Sequence, residues 1–366
     1  MISFIVYCLY TRNMDMDSFL DEYLQRLEDD GLSKRTIDNN IFILKPFIKW
    51  LDGREVTDKT VMEYLRFLKP RNYTDSTLYQ YRAILKKFLS TFSPEQARNI
   101  KLKVKRKEPP IILTQAEIEQ LIEACRNPRD KALIAFLYEA GCRKGELVSI
   151  RLENVTFTEY GATVTIPKGK TGPRTIPIVY AASYLRQWVE SHPTKGQCDP
   201  LFCSLQEPFA QFSFSGLSHL MRTLKERTGI KKDLYPHLFR HSRASHLANQ
   251  FTEQQLKQFL GWTAGSNMAA IYVHLSQRDI QDAVLKAYGI ESQTEEKKSF
   301  KVGKCPRCKE INPETSSYCG KCGMPLRDDS IKQLETEQDT FETEFSQLIA
   351  KYPNILEALA KYKKND

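Results

Sequence analysis

The chain has 366 residues, more than one hydrophobic core usually organises, so two or more domains are expected. With 41% hydrophobic and 27% charged residues it has the composition of an ordinary globular protein, which sets aside disordered, fibrous and membrane-embedded classes. A formal charge of +9 favours a polyanionic partner, nucleic acid before a membrane surface.

Residues 1–16 read as an N-terminal extension. Their apolar run is far short of a membrane span and lacks the basic flank and cleavage site of a secretory signal. Residues 17–97 predict a helical module. Phe19, Leu20, Tyr23, Leu24 and Leu27 share one helical face, and Gly31 is placed to end that helix. Further caps are expected at Ser33, Asp58 and Ser76, each ahead of an apolar pattern of helical period. Residues 98–110 read as a linker, in which Lys101, Lys103, Lys105, Arg106 and Lys107 precede Pro109 and Pro110. Such a charge run is commonly just a solvated segment. Between two domains of a DNA-binding protein it would instead neutralise backbone phosphates.

A second domain, residues 111–290, opens with the capping-box pattern Thr114-x-x-Glu117 ahead of Ile118, Leu121 and Ile122. Another helix is expected through Leu133, Ile134, Phe136 and Leu137. Strand-like pieces follow at 155–157, 162–166 and 175–179, with turns at Gly161 and at the Lys-Gly-Lys-Thr-Gly segment. From there to about Gly289 the pattern is again helical.

Phosphodiester transfer without a metal needs a nucleophile, fixed cations around the non-bridging oxygens, and an acid for the leaving oxygen. Residues 139–147, Glu-Ala-Gly-Cys-Arg-Lys-Gly-Glu-Leu, contain Arg143 and Glu146. Residues 235–247 contain His237 and Arg240 in a His-x-x-Arg spacing, and residues 260–275 contain Trp262 and Tyr272. In this order the boxes resemble those of the tyrosine recombinases, the phage integrase family, over roughly residues 17–290. The Gly-Trp-Thr-Ala-Gly-Ser stretch is similar to archaeal members.

The resemblance implies a mainly α multidomain protein. A helical SAM-like core-binding domain and an α+β catalytic domain with a small antiparallel sheet would together clamp duplex DNA. Tyr272 would attack the scissile phosphate, leaving a 3′-phosphotyrosine and a free 5′-hydroxyl. Arg143 and Arg240 would hold the phosphoryl oxygens, His237 would assist proton transfer at the tyrosine, and Trp262 would hydrogen-bond the phosphate. Glu146, three residues along a helix from Arg143, would orient it. The catalytic lysine would lie in the 167–174 turn. Lys170 fits integrases with a Lys-Thr-Gly turn, and Lys168 fits the Xer-type pattern with one residue inserted. With Lys170 taken as the acid, Lys168 and Arg174 become phosphate contacts. Neither ATP nor a catalytic metal is implied, and the partners would be double-stranded DNA and further copies of the chain, as a tetramer on paired sites in the cytoplasm. A type IB topoisomerase and a non-catalytic DNA-binding protein of the same fold remain alternatives.

Each of these residues alone has a duller reading. Tyrosine is mostly a core or surface aromatic, and the chain has 17 of them. His237 and His241 are four apart, as in a metal site, but the metalloprotease pattern needs Glu where Leu238 stands. His241 and His246 are therefore expected to make structural hydrogen bonds.

Five of the nine cysteines are scattered, whereas Cys305, Cys308, Cys319 and Cys322 form two Cys-x-x-Cys knuckles ten residues apart. That is the ligand pattern of a zinc ribbon, expected over residues 300–328, with four thiolates closing a structural Zn2+ shell. Gly320 and Gly323 are placed for its tight turns. Residues 329–366 are expected to form a helical tail with a heptad seam through Ile331, Leu334, Gln338, Phe341, Phe345, Leu348, Tyr352, Ile355, Leu359 and Tyr362, interrupted at Pro353.

Overall fold

The computed structural model describes residues 16–71, 73–92, 94–102, 111–167, 169, 172–248, 250–273, 288–289 and 300–352. The chain divides into two compact units, residues 1–108 and 109–366.

The first unit is helical: α1 (Met16–Asp29), α2 (Lys34–Leu51), α3 (Asp58–Phe67), α4 (Asp75–Phe92) and α5 (Pro94–Asn99). Leu20, Tyr23 and Leu27 turn one face of α1 onto Leu44, Phe47, Tyr64, Leu85 and Phe88. Ser33 caps α2 as its sequence suggested, its side chain accepting the Thr36 N–H. Two other caps fall one or two residues earlier than expected. Thr57, not Asp58, caps α3 in a capping box with Thr60. The Thr74 hydroxyl accepts the Thr77 N–H ahead of α4, the place assigned to Ser76. In both cases the threonine directly before the first helical residue takes the cap in place of the acidic or hydroxyl residue one or two positions after it.

The second unit begins with α6 (Gln115–Glu123), where both halves of the Thr114–Glu117 capping box form. Next comes α7 (Pro128–Ala140), buried on nearly every side and so lacking an amphipathic stripe. A short α8 (Lys144–Ser149) leads into an antiparallel sheet of β1 (Val155–Thr158), β2 (Gly161–Ile166) and β3 (Arg174–Ile178), in that order. Ala162, Val164, Ile166, Ile176 and Ile178 face the core with α7. The buried Glu139 carboxylate accepts the backbone N–H groups of Val179, Tyr180 and Ala181 at 3.0, 3.1 and 2.7 Å. This fixes the turn into α9 (Ala182–Glu190). Helices α10 (Phe214–Thr228), α11 (Pro236–Leu247), α12 (Glu253–Leu260) and α13 (Met268–Val273) complete the body.

The two knuckles and a hairpin of β4 (Val302–Lys304) and β5 (Ile311–Pro313) pack on α9. Phe300 lies 4.9 Å from the Tyr138 ring and 4.4 Å from that of Tyr180, and Arg186 pairs with the buried Glu310 at 2.9 Å. The final described helix, α14 (Asp328–Lys351), leaves its seam exposed, with Phe341 at 65% and Tyr352 at 52%. The seam beyond Tyr352, including Pro353, lies outside the described residues. No helix among the described residues is long and apolar enough to cross a membrane.

Candidate active site

Three guanidinium groups meet at one helix end. Helix α12 stops at Gly261, whose left-handed backbone (φ 62°) turns the chain away and leaves the last carbonyls without helical partners. Arg174 Nε donates to the Phe259 carbonyl at 3.1 Å, Arg240 Nη2 to Leu260 at 2.6 Å, and Arg143 Nη2 to Gly261 at 3.0 Å. Three successive carbonyls thus each take a different arginine, at the negative end of the helix dipole. Arg240 also donates to the Gly141 carbonyl at 2.8 Å, just past the end of α7.

Glu146 ties two of these arginines together. Its Oε1 accepts Arg143 Nη1 at 2.6 Å and Arg174 Nη1 at 3.2 Å; its Oε2 accepts the Arg143 backbone N–H at 2.9 Å and Arg174 Nη2 at 2.8 Å. Arg143 is not on the helix with Glu146, as had been expected. It is the N-cap residue of α8, and the Glu146 carboxylate reaches back to it. Burial pushes the Glu146 pKa up, but the bonds from Arg174 and Arg143 outweigh it and hold the carboxyl below its ordinary range. Burial and the neighbouring Arg143 lower Arg240 to about 10, which still leaves it charged at neutral pH.

Tyr272, on α13, is buried among Ala244, Leu256, Leu260 and Ala269. The Trp262 indole stacks on its ring at 5.7 Å and 9°, with the Arg240 guanidinium 5.4 Å from that indole. Its hydroxyl is hydrogen-bonded to His241 Nδ1. Burial raises the Tyr272 pKa to about 12, against the lowering influence of Arg240. The His237 ring stands 6.0 Å from that of His241. Its pKa is lowered by burial and by Arg240, Arg143 and Lys144. Arg143, His237, Arg240, His241, Trp262 and Tyr272 line one open pocket of about 520 Å³.

The structure therefore gathers Arg143, His237, Arg240, Trp262 and Tyr272, with Glu146 behind them. Arg174, expected as a phosphate contact, is engaged by Glu146 and the Phe259 carbonyl and does not line that pocket. His241, expected to be structural, is the residue at the Tyr272 hydroxyl. A signal for it existed: histidines four apart on α11 share a helix face, and His237 was already assigned to the site. Both lysine candidates, Lys168 and Lys170, lie outside the described residues, as do Lys103, Lys105, Arg106 and Lys107; Lys101 is described and exposed.

The four cysteines at the C-terminal knuckles bring their sulfurs within 4.8 Å of one another. The Cys305–Cys322 and Cys308–Cys319 separations of 3.7 and 3.5 Å are close to the roughly 3.8 Å edge of a tetrahedron with 2.3 Å arms. The buried Asn312 donates to Cys319 Sγ at 3.5 Å and accepts the Gly320 N–H at 2.8 Å, an outer partner of the kind that orients metal ligands. These residues could hold a metal ion. The left-handed turn positions are Lys309 and Gly323, the residues after each second cysteine, whereas Gly320 answers to packing. A Cβ at Gly320 would lie 2.8 Å from the Ser183 carbonyl oxygen on α9.

Residues 112–278 match the phage integrase family, and residues 19–99 match the phage integrase N-terminal SAM-like domain. A tyrosine recombinase of Pseudothermotoga lettingae is 30% identical over 196 residues, spanning 52% of this chain and 65% of that one, just short of two thirds of its length. The tyrosine recombinase XerA of Pyrococcus furiosus is 27% identical over 286 residues, spanning 75% of this chain and 95% of that one. Transposase A of transposon Tn554 from Staphylococcus aureus is 28% identical, and the chain spans only 55% of it. Among solved structures, XerH bound to palindromic difH substrate superposes with a TM-score of 0.56 at 18% identity, covering 74% of this chain and 84% of that one. A lambda integrase tetramer bound to a Holliday junction gives 0.54 at 15% identity, covering 69% and 79%. At such identities these likenesses speak for the fold. The two sequence matches follow one another along the chain, the N-terminal SAM-like domain first, and this chain belongs to the phage integrase family of tyrosine recombinases.

Proposed function

We propose that the chain is a site-specific recombinase that cuts and rejoins duplex DNA through a 3′-phosphotyrosine bond at Tyr272. One observation carries this reading: a phenol hydroxyl, two guanidinium groups and a histidine pair share a single pocket large enough for a phosphodiester. In cleavage, the Tyr272 oxygen forms the new bond to phosphorus while the bond from phosphorus to the 5′ oxygen breaks. A phenol with a pKa of about 12 keeps its proton at neutral pH, so an acceptor is required as it attacks. His241 is in hydrogen-bond contact and takes that proton, with His237 beside it in the pocket. Arg143 and Arg240 hold the two non-bridging oxygens, and the Trp262 indole packs the phenol. Lys170, or Lys168, returns a proton to the 5′ oxygen. Rejoining is the reverse reaction with a 5′-hydroxyl from another strand. Bond energy is conserved in the phosphotyrosine, so neither ATP nor a catalytic metal enters.

The same reading assigns residues 17–97 to core binding, residues 111–290 to catalysis and the basic 98–110 segment to backbone contact. The protein would work in the cytoplasm as a tetramer on paired sites, integrating or excising a mobile element or resolving replicon dimers. The four-cysteine cluster suits a structural Zn2+. Thiolate donors on two knuckles leave no open coordination position for chemistry.

The test is covalent trapping on labelled duplex DNA from the source replicon, in EDTA, with Tyr272→Phe as control. A DNA-linked band lost in Tyr272→Phe is expected, and sequencing its ends maps the site. Salt-sensitive DNA binding without any adduct would instead identify a non-catalytic binding protein of this fold.

A further inference from the structure

We propose that Arg174 is a positioning residue that keeps Arg143 available to the scissile phosphate, by holding Glu146 and the end of α12 rather than by touching DNA. This rests on the recombinase reading above.

A carboxylate offers about four lone-pair sites, and those of Glu146 are shared evenly, two donors from Arg143 and two from Arg174. The Arg174 guanidinium meets it as a two-pronged fork, and its third donor, Nε, goes to the Phe259 carbonyl. Its side chain is 10% exposed, against 24% for Arg143. Arg143 lines the pocket that holds Tyr272, and Arg174 does not.

Charge explains why the arrangement matters. Arg143, Arg174 and Arg240 carry three positive charges against the single negative charge of Glu146. With Arg174 removed, the buried carboxylate loses half its donors, and Arg143 becomes its remaining charged partner. The ion pair would then draw Arg143 away from the incoming phosphate and reduce the positive charge of the site. Arg174 also begins β3, a few residues after Lys168 and Lys170 in the sequence.

The experiment uses the full chain and a duplex centred on the phosphate mapped by trapping. One version carries the ordinary diester and the other a methylphosphonate at that position, whose missing negative charge removes the demand on the clamp. Single-turnover cleavage, DNA affinity against salt, and melting temperature are measured for wild type, Arg174→Gln and Arg174→Lys. Expected for Arg174→Gln is a loss of about 10–100-fold on the diester, on the scale of a weakened oxyanion donor. The loss should shrink to a few-fold on the methylphosphonate. Arg174→Lys should fall between, since an ammonium cannot reproduce the fork. In an Arg143→Ala background, where no effect can pass through Arg143, Arg174→Gln should leave the salt slope of DNA affinity unchanged; a slope reduced by about 1 there would reveal a direct phosphate contact and overturn the proposal. Equal losses on both duplexes, with a lowered melting temperature in both variants, would reduce Arg174 to a purely structural role. Absence of an adduct with wild type on either duplex would instead remove the recombinase reading itself.

Discussion

Tyr272 and the two histidines near it divide the proton chemistry in a way that mutation can separate. His241 bonds the phenol, so His241→Ala should slow single-turnover cleavage by about 10²–10⁴-fold, the range for losing a general base. His237→Ala should cost less in the same assay; the opposite ranking would return the base to His237. Arg143→Ala and Arg240→Ala should each raise the barrier by about 3–4 kcal/mol, as expected for losing a preorganised donor, measurable as accumulated adduct per unit time. His237 also makes a stability prediction. Its pKa is depressed in the folded state, so its contribution is present above the ordinary value of 6.5 and lost as pH falls below it. Between pH 7 and 5 the wild-type melting temperature should therefore drop more than that of His237→Gln. Parallel curves would mean that His237 titrates normally.

Elements carry their own constraints. The α12 terminus works as an arginine anchor only while Gly261 has no side chain, because a Cβ there would lie 2.6 Å from Arg174 Nη1. The residue is also in the left-handed region, so Gly261→Ala is strained twice over. It should reproduce the Arg174→Gln pattern, poor cleavage of the diester with retained DNA binding. Unchanged cleavage in Gly261→Ala would show that the turn tolerates Arg174 moving. Asn312 bonds both Cys319 Sγ and the Gly320 N–H of the second knuckle, so, with zinc held by the four cysteines as proposed, Asn312→Ala should weaken its affinity by about 10–100-fold in a competition with a chromogenic chelator. On α14 the apolar seam of Ile331, Leu334, Phe341, Phe345 and Leu348 is readable by period, and the structure leaves it uncovered.

At the scale of the whole molecule, the ribbon is built into the second unit rather than hung from it. Phe300 lies against Tyr138 and Tyr180, Arg186 pairs with Glu310, and Gly320 abuts Ser183. Tyr138 in turn bonds His246 on α11, the helix that carries His237, Arg240 and His241. With the knuckles holding a metal as proposed, its removal should consequently lower the melting transition of the second unit in scanning calorimetry of the full chain. A second-unit transition that stays in place would mean that the knuckles fold independently of the rest of that unit.

Taken alone, the sequence was enough to determine the helical character of both units, several apolar helix faces in 17–140, the Thr114–Glu117 cap and the three strands of the sheet. These depend on period and on neighbours within one turn. The spacing of the two knuckles picked out the four cysteines as one set, whereas Arg143, His237, Arg240, Trp262 and Tyr272 were grouped through the resemblance of their boxes to those of the family. The caps the sequence misplaced, at Asp58 and Ser76, are choices between adjacent polar residues that differ by little free energy. Only the tertiary structure decided the partners. His241 meets a tyrosine 31 residues away, Arg174 a glutamate 28 residues away, and Arg143 a carbonyl 118 residues away. No local period encodes such separations. An arginine at a hairpin base reads as a phosphate contact until packing buries it against a carboxylate, and a histidine reads as structural until a tyrosine hydroxyl is folded onto it.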